Sequence, residues 1–266
     1  MAASLAAKVH YLDITGEIDV FEHASSLDGE ARQANILLCP GVGFDVIPTD
    51  CLALALKQAL PDATSLCLGF ESHSLKSPGT AKTTVEGIGQ GTKIRREATI
   101  RTEPMGVRAR RIDFGQGERL AVAFPWGDVS TAYKTTGIPS ITVYVAVTSS
   151  FRLAMLAANL LAPILRLPLV RRRMLASAGT AVGPDTEARR EAPTYLWGEV
   201  RNESGEVRTA RIRTANGYDV TIHGALAVLR HIMEMRDFDP GFTTPALLCG
   251  ASLIEELPGS GKIKIR

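Results

Sequence analysis

The sequence predicts an α/β fold: one parallel β-α-β unit at the start of the chain, then a larger α+β region whose sheet is mixed or antiparallel. Two observations carry this expectation. Residues 8–39 read as strand, helix and strand, and a crossover of that length joins parallel neighbours. Beyond Ser65 the texture changes to short strand-like runs separated by glycine-containing turns. A chain of 266 residues, 45% hydrophobic, is long enough to bury a core under such sheets. The seam between the two regions is expected near residue 50, giving parts 1–50 and 51–266, with the C-terminal part able to pack back on the first.

The elements follow in order. Met1 to Lys8 is small and apolar without a basic start, so it reads as the tail of a helix and not as a secretory signal. Lys8 to Asp13 is a short strand, Thr15-Gly16 a turn and Asp19 to Gln33 a helix. Asn35 to Cys39 is an apolar strand stopped by Pro40-Gly41-Val42-Gly43. A helix is expected from Thr49 to Leu60, after Pro48. Strands are expected at Ser65–Glu71, Lys93–Arg101, Val107–Phe114, Arg119–Phe124 and Ile141–Val147, while Thr80–Gly91 fits no single type. Phe151 to Leu175 is a buried or interfacial helix broken by Pro163 and Pro168; its uncharged run between Arg152 and Arg166 is too short to span a bilayer. Thr180 to Pro193 is a charged loop. Tyr195–Arg201, Val207–Thr214 and Tyr218–His223 form an antiparallel meander, the last turn marked by Asn216-Gly217. A final helix, Gly224 to Met235, precedes a Pro/Gly-rich tail.

Composition excludes several functions. Thirty basic residues against 28 acidic ones, without interleaved aromatics, argue against nucleic acid. Cys39, Cys51, Cys67 and Cys249 form no C-x-x-C pair and the five histidines no ligand spacing, so neither a metal site nor a disulfide framework is expected, and a reducing cytoplasm fits. Cys39 reads as a buried strand residue. Tyr133-Lys134 lacks the Tyr-x-x-x-Lys spacing of short-chain reductases.

No G-x-G-x-x-G loop is present to bring backbone amides to a pyrophosphate. Gly41-Val-Gly43 continues to Val46 where the third glycine belongs, and Gly87-Ile-Gly89-Gln-Gly91 has no strand before it. No phosphate-binding residue is therefore assigned. Loops at the carboxyl ends of parallel strands open on one crevice, which gathers Asp13, Thr15 and Glu17 from the first and Gly41, Gly43, Phe44 and Asp45 from the second. Gly41 and Gly43 are either tight strand exits or points of close approach to a ligand. Asp45 and Asp50 are equally well read as helix caps. Ser77, Thr80 and Lys82 can meet a substrate carboxylate or thioester, or be a solvated loop; Trp126 and Asp128, after Pro125, line the pocket or form a turn around a packed indole. No catalytic acid is assigned.

The runs His10–Glu17 and Cys39–Asp50 resemble the saccharopine dehydrogenase-like reductases, in particular the trans-acting enoyl reductases. Ser77–Ala81, Ile112–Gly115, Pro125–Asp128, Thr136–Pro139, Tyr195–Glu199, Gly241–Pro245 and Glu256–Gly259 continue that resemblance in order along nearly the whole chain. It implies a Rossmann domain holding NAD(P), with NADP preferred, and a second domain for substrate and dimer contact. Against that pattern the chain begins near the last Rossmann strands, so that roughly a hundred expected residues, glycine loop included, are missing and only the last β-α-β unit remains. The expected function is the substrate side of a reductase acting on an enoyl or related acyl- or polyketide-linked substrate, inactive without a nucleotide-binding half supplied by an upstream polypeptide. A homodimer is a further expected partner. The alternative is a non-enzymatic interaction or membrane-surface module built on 151–173, where Arg171, Arg172 and Arg173 follow the apolar helix.

Overall fold

The computed structural model describes residues 1–74, 87, 90–165, 167–178 and 185–266. Ser77, Thr80 and Lys82 lie outside the described residues. The elements form two sheets, one small and parallel, one large and mixed.

The small sheet comes first. Helix α1 (Ala2–Ala7) ends at Lys8 in the left-handed conformation, and the first strand, β1, shrinks to Tyr11–Leu12. The single helix expected from Asp19 to Gln33 is two: α2 (Ile18–Ser26) and α3 (Asp28–Ala34), meeting at Leu27. Strand β2 (Leu37–Cys39) is wholly buried and runs parallel to β1, with Leu38 opposite Tyr11. Its other edge takes β11 (Gly241–Phe242), also parallel, so the strand order is β1-β2-β11 and the chain's C-terminal part completes the sheet. Phe242 fixes this return: its amide donates to Asp28 Oδ1 at 2.8 Å.

Helix α4 (Ile47–Ala59) joins the two sheets. It starts before Pro48, which occupies the first turn; there a missing amide hydrogen costs nothing, so the expected start after Pro48 is corrected. Residues Ile47 to Ala53 are buried in succession, the pattern of a helix enclosed on all sides. It lies on β9, where Gly198 leaves room for Leu52 and Leu56: a Cβ there would sit 2.6 Å from Leu56 Cδ1.

The large sheet contains β3 (Ser65–Ser72), β4 (Thr92–Arg96), β5 (Thr99–Glu103), β6 (Ala109–Asp113), β7 (Glu118–Ala123), β8 (Ser140–Ala146), β9 (Thr194–Arg201), β10 (Val207–Thr214) and β12 (Lys264–Ile265). The order is β12-β10-β9-β3-β8-β4-β5, with β7 pairing the far half of β8 and β6 pairing β7. Strands β3 and β8 are parallel and their other neighbours antiparallel. The run Lys93–Arg101, read as one strand, is a hairpin: Glu97 and Ala98 both take positive φ and turn the chain without a glycine.

Helix α5 (Asp128–Thr136), unforeseen in the sequence, crosses between β7 and β8. Helices α6 (Ser149–Leu160), α7 (Ala162–Leu165) and α8 (Pro168–Ala178) correspond to the apolar stretch. They are not core: Met155 alone among the described side chains of these helices is buried, while Leu153, Leu160, Ile164 and Leu169 are exposed. A short helix, α9 (Thr186–Glu191), lies in the expected charged loop. Helix α10 (Gly217–Glu234) replaces the predicted strand Tyr218–His223, because Asn216 is its N-cap, with a side-chain oxygen accepting from Tyr218 N at 3.1 Å. Helices α11 (Pro245–Cys249) and α12 (Leu253–Glu256) occupy the tail.

Candidate functional site

Four backbone segments meet at the carboxyl ends of β1 and β2: the loops after those strands, the turn Phe124–Gly127 before α5, and the first turns of α10. Asp13 ties the first two together. Its Oδ1 accepts from the amides of Thr15 and Gly41, both at 3.0 Å, and its Oδ2 from Tyr11 Oη at 2.6 Å, while its carbonyl takes Val42 N at 2.8 Å. The bonded Asp13 carboxylate and burial push the Tyr11 hydroxyl up to about 12, so it stays a donor at neutral pH. Asp13 thus shapes the crevice with both oxygens already engaged. Thr15 Oγ1 accepts from Glu17 N at 3.3 Å, and exposed Glu17 is the N-cap residue of α2 without a side-chain cap bond.

The glycines are fixed by contact. Gly41 has φ +79°, and a Cβ there would lie 2.7 Å from Val46 Cγ2 and 2.9 Å from Phe21 Cε1. A Cβ on Gly16 would strike the Asp45 carboxylate, and one on Gly43 would press Thr221 Cγ2 at 3.2 Å. These glycines therefore serve close packing of the loops on their own neighbours.

Asp45 caps no helix: the N-cap of α4 is Val46, without a side-chain bond. Among the described residues its carboxylate has no hydrogen-bond or ion-pair partner, and burial raises its pKa to about 6. It packs on Gly16, whose carbonyl oxygen lies against Gly127, the residue before Asp128. Asp128 is fully buried at the start of α5; Thr49 Oγ1 and its Oδ2 are 2.6 Å apart, and its Oδ1 has no partner. Burial, with Asp50 and Asp45 nearby, lifts its pKa well above the usual range, so Asp128 is the neutral acid. Asp50 is no cap of α4 either. One turn into that helix, it accepts from Thr135 Oγ1 and, at 3.0 Å, from Ala246 N, joining α4 to α5 and to the first turn of α11; burial raises it to about 6 against the pull of those bonds.

An aromatic wall faces these acids. The Trp126 ring lies 4.6 Å from Phe70, 6.2 Å from Phe44 and 6.3 Å from Phe124, and its buried Nε1 has no partner. Phe44 sits under Gly217 of α10, and its amide donates to Thr221 Oγ1 at 3.0 Å. The turn carrying Trp126 is held from behind by Arg95, a buried side chain on β4 that donates to Val129 O at 2.8 Å and to Glu22 at 2.8 Å and stacks on Tyr133. Glu22 also accepts from Ser130 Oγ.

The crevice thus brings together Gly41, Gly43, Phe44, Asp45, Trp126 and Asp128 with Asp13, Thr15 and Glu17 at its rim. Sequence reasoning missed Phe70, Phe124 and Thr221. Thr221 was findable: Val220, Gly224 and Val228, the buried line of α10, have helical spacing after the Asn216 cap. Among the described residues no group of His, Cys, Asp and Glu suits a metal ion, and no helix is long and apolar enough to cross a membrane. The four cysteines are free, and burial raises the Cys39 and Cys51 thiols well above their ordinary range.

No family model and no curated protein sequence matches the chain. Among solved structures, apo saccharopine dehydrogenase (L-Glu forming) from Saccharomyces cerevisiae superposes with a TM-score of 0.57 over 100% of this chain and 81% of that one, at 10% identity. The chain shares that enzyme's fold. The likeness covers both sheets of this saccharopine dehydrogenase-like fold and, at such low identity, concerns the fold alone. A dehydrogenase from Chromobacterium violaceum aligns over 96% of this chain and 70% of its own at 11% identity, with a TM-score of 0.31 that carries no argument.

Proposed function

We propose that this chain forms the substrate side of an NAD(P)-dependent oxidoreductase that reduces an enoyl or related acyl- or polyketide-linked substrate, with NADP preferred over NAD. The observation that carries the reading is the pairing of an unpartnered, buried Asp45 with the Phe44, Phe70 and Trp126 wall at the carboxyl ends of parallel strands. The shared fold supports an oxidoreductase.

The phosphate end of a dinucleotide does not fit the residues present. Gly16, Gly41 and Gly43 are filled by Asp45, Val46, Phe21 and Thr221, and the first turn of α4 combines Pro48, which has no amide hydrogen, with the Asp45 carboxylate just ahead of it. In the proposed arrangement a nucleotide-binding unit on another polypeptide holds those phosphates, and the chain alone is inactive. Its own residues pack the acyl group against the aromatic wall and exclude water. Asp45 gives or takes a proton at the substrate, a role suited to a carboxyl that changes charge near pH 6.

Fluorescence tests this directly, because the chain has two tryptophans and Trp197→Phe leaves only Trp126. Titrating crotonyl-CoA into that variant should change Trp126 emission saturably; unchanged emission sinks the substrate reading. NADPH should show no saturable binding in the micromolar range to this chain alone, and tight binding overturns the assignment of the phosphates to another polypeptide.

A further inference from the structure

Helix α10 carries two apolar faces, and the fold uses one. Val220, Gly224 and Val228 point into the core, Gly224 against Ile47. On the opposite side Ile222, Leu226, Leu229 and Met233 are 50%, 55%, 42% and 78% exposed. Their 4-3-4 spacing is that of a heptad seam, which packs against a second helix rather than a flat surface. Read in either direction the seam is alike: two long side chains at the ends, two leucines in the middle.

A second unused edge lies beside it. Strand β1 is paired on one side only, by β2. Two contacts set the direction of α10 relative to β1. At the start of the helix, Thr221 and Ile14 both pack on Gly43; beyond its end, Phe238 meets His10 edge-on at 5.0 Å. The helix therefore runs antiparallel to β1 and alongside it. Val9 and Ile14, which flank β1, are 52% and 59% exposed and extend the apolar surface.

We infer that this surface is the contact between two copies of the chain, related by a two-fold axis perpendicular to β1 and α10. That one operation pairs β1 antiparallel with its copy and sets α10 antiparallel against its copy, with Leu226 facing the partner's Leu229 and Ile222 facing the partner's Met233. A two-fold contact requires a surface complementary to itself, and the seam has that property. It also closes an open strand edge that otherwise invites uncontrolled pairing. The contact is separate from the crevice, and its test needs neither substrate nor nucleotide.

Sedimentation equilibrium on the full chain should give twice the chain mass at concentrations of ~10 µM. Leu226→Glu with Leu229→Glu should weaken association by ~100-fold or more, since charges are buried at the centre of the contact, with far-ultraviolet circular dichroism unchanged because both side chains are exposed in the isolated chain. Met233→Lys, at the most exposed position, gives a second, milder variant that should weaken association in the same direction. Tyr11 and Leu12 amides should exchange more slowly in the dimer than after dilution. The inference is overturned if the wild type is a monomer at ~100 µM, the outcome expected if a foreign polypeptide covers this face, or if both variants dimerise normally. Loss of dimer on Leu160→Glu instead would move the contact to α6 and equally overturn it.

Discussion

The two sheets hold their polar groups in opposite ways. On the outer face of the large sheet the β6–β7 hairpin is pinned by paired charges: Arg110 with Glu199, Arg108 with Glu103, Arg211 with Asp113. Arg110 also stacks on Trp197. At the small sheet the strands are two or three residues long, and the loops after them leave Asp45, Asp128 Oδ1 and Trp126 Nε1 unpaired. A polar group buried without a partner costs stability, and a chain retains such groups most readily where a ligand completes them. The difference separates a scaffold from the place it serves.

Four changes test that separation, the largest first. Leu52→Ala in α4 removes a fully buried side chain shared by both regions and should cost ~2–5 kcal/mol in chemical denaturation, lowering protection of both sheets together. Gly41→Ala combines a left-handed backbone with a clash and should cost ~2–4 kcal/mol, felt locally: amide exchange at Leu37–Cys39 should quicken while Leu66 and Leu68 stay protected. Equal acceleration in both sheets would dissolve the distinction. Asp45→Asn should stabilise. The folded pKa of about 6 lies above the unfolded 3.8, so the cost of the buried charge is full above pH 6 and fades as pH falls toward 4. The variant should thus gain ~1–3 kcal/mol at pH 8 and nothing at pH 3.5, measured by urea unfolding at both. The smallest effect is expected for Thr221→Val, which strands the Phe44 amide: ~1 kcal/mol, with a shift in Trp126 emission as Phe44 relaxes. An unshifted spectrum would mean that α10 does not set the aromatic wall.

Much of the small sheet was legible because its signals are local. The apolar run ending at Cys39 and the Pro40–Gly43 stop place β2 and its loop; Asp45 and Trp126 were singled out from position alone. What failed depended on distant contacts. Helix α5 is rich in threonine and valine and its buried positions encircle it, so no amphipathic rhythm marks it. Asn216-Gly217 suits a hairpin turn and a helix cap alike, and only the packing of Val220, Gly224 and Val228 on α4 and its neighbours chooses the cap. The hairpin at Glu97–Ala98 lacks the glycine that announces such turns. The Asp50 carboxyl, read as a cap of its own helix, finds its donor at Ala246, which no local pattern links to it.

Helix α4 belongs to both sheets, its first turn closing the crevice and its later turns lying beneath β9. A seam drawn at residue 50 falls inside it. A gene split within residues 47–59 would hand each product half of a fully apolar helix, whereas cuts in the loops before Ile47 or after Ala59 leave it whole. Fragment complementation should therefore succeed at those two joints and fail between them, making α4 the shortest length of chain that must be inherited intact.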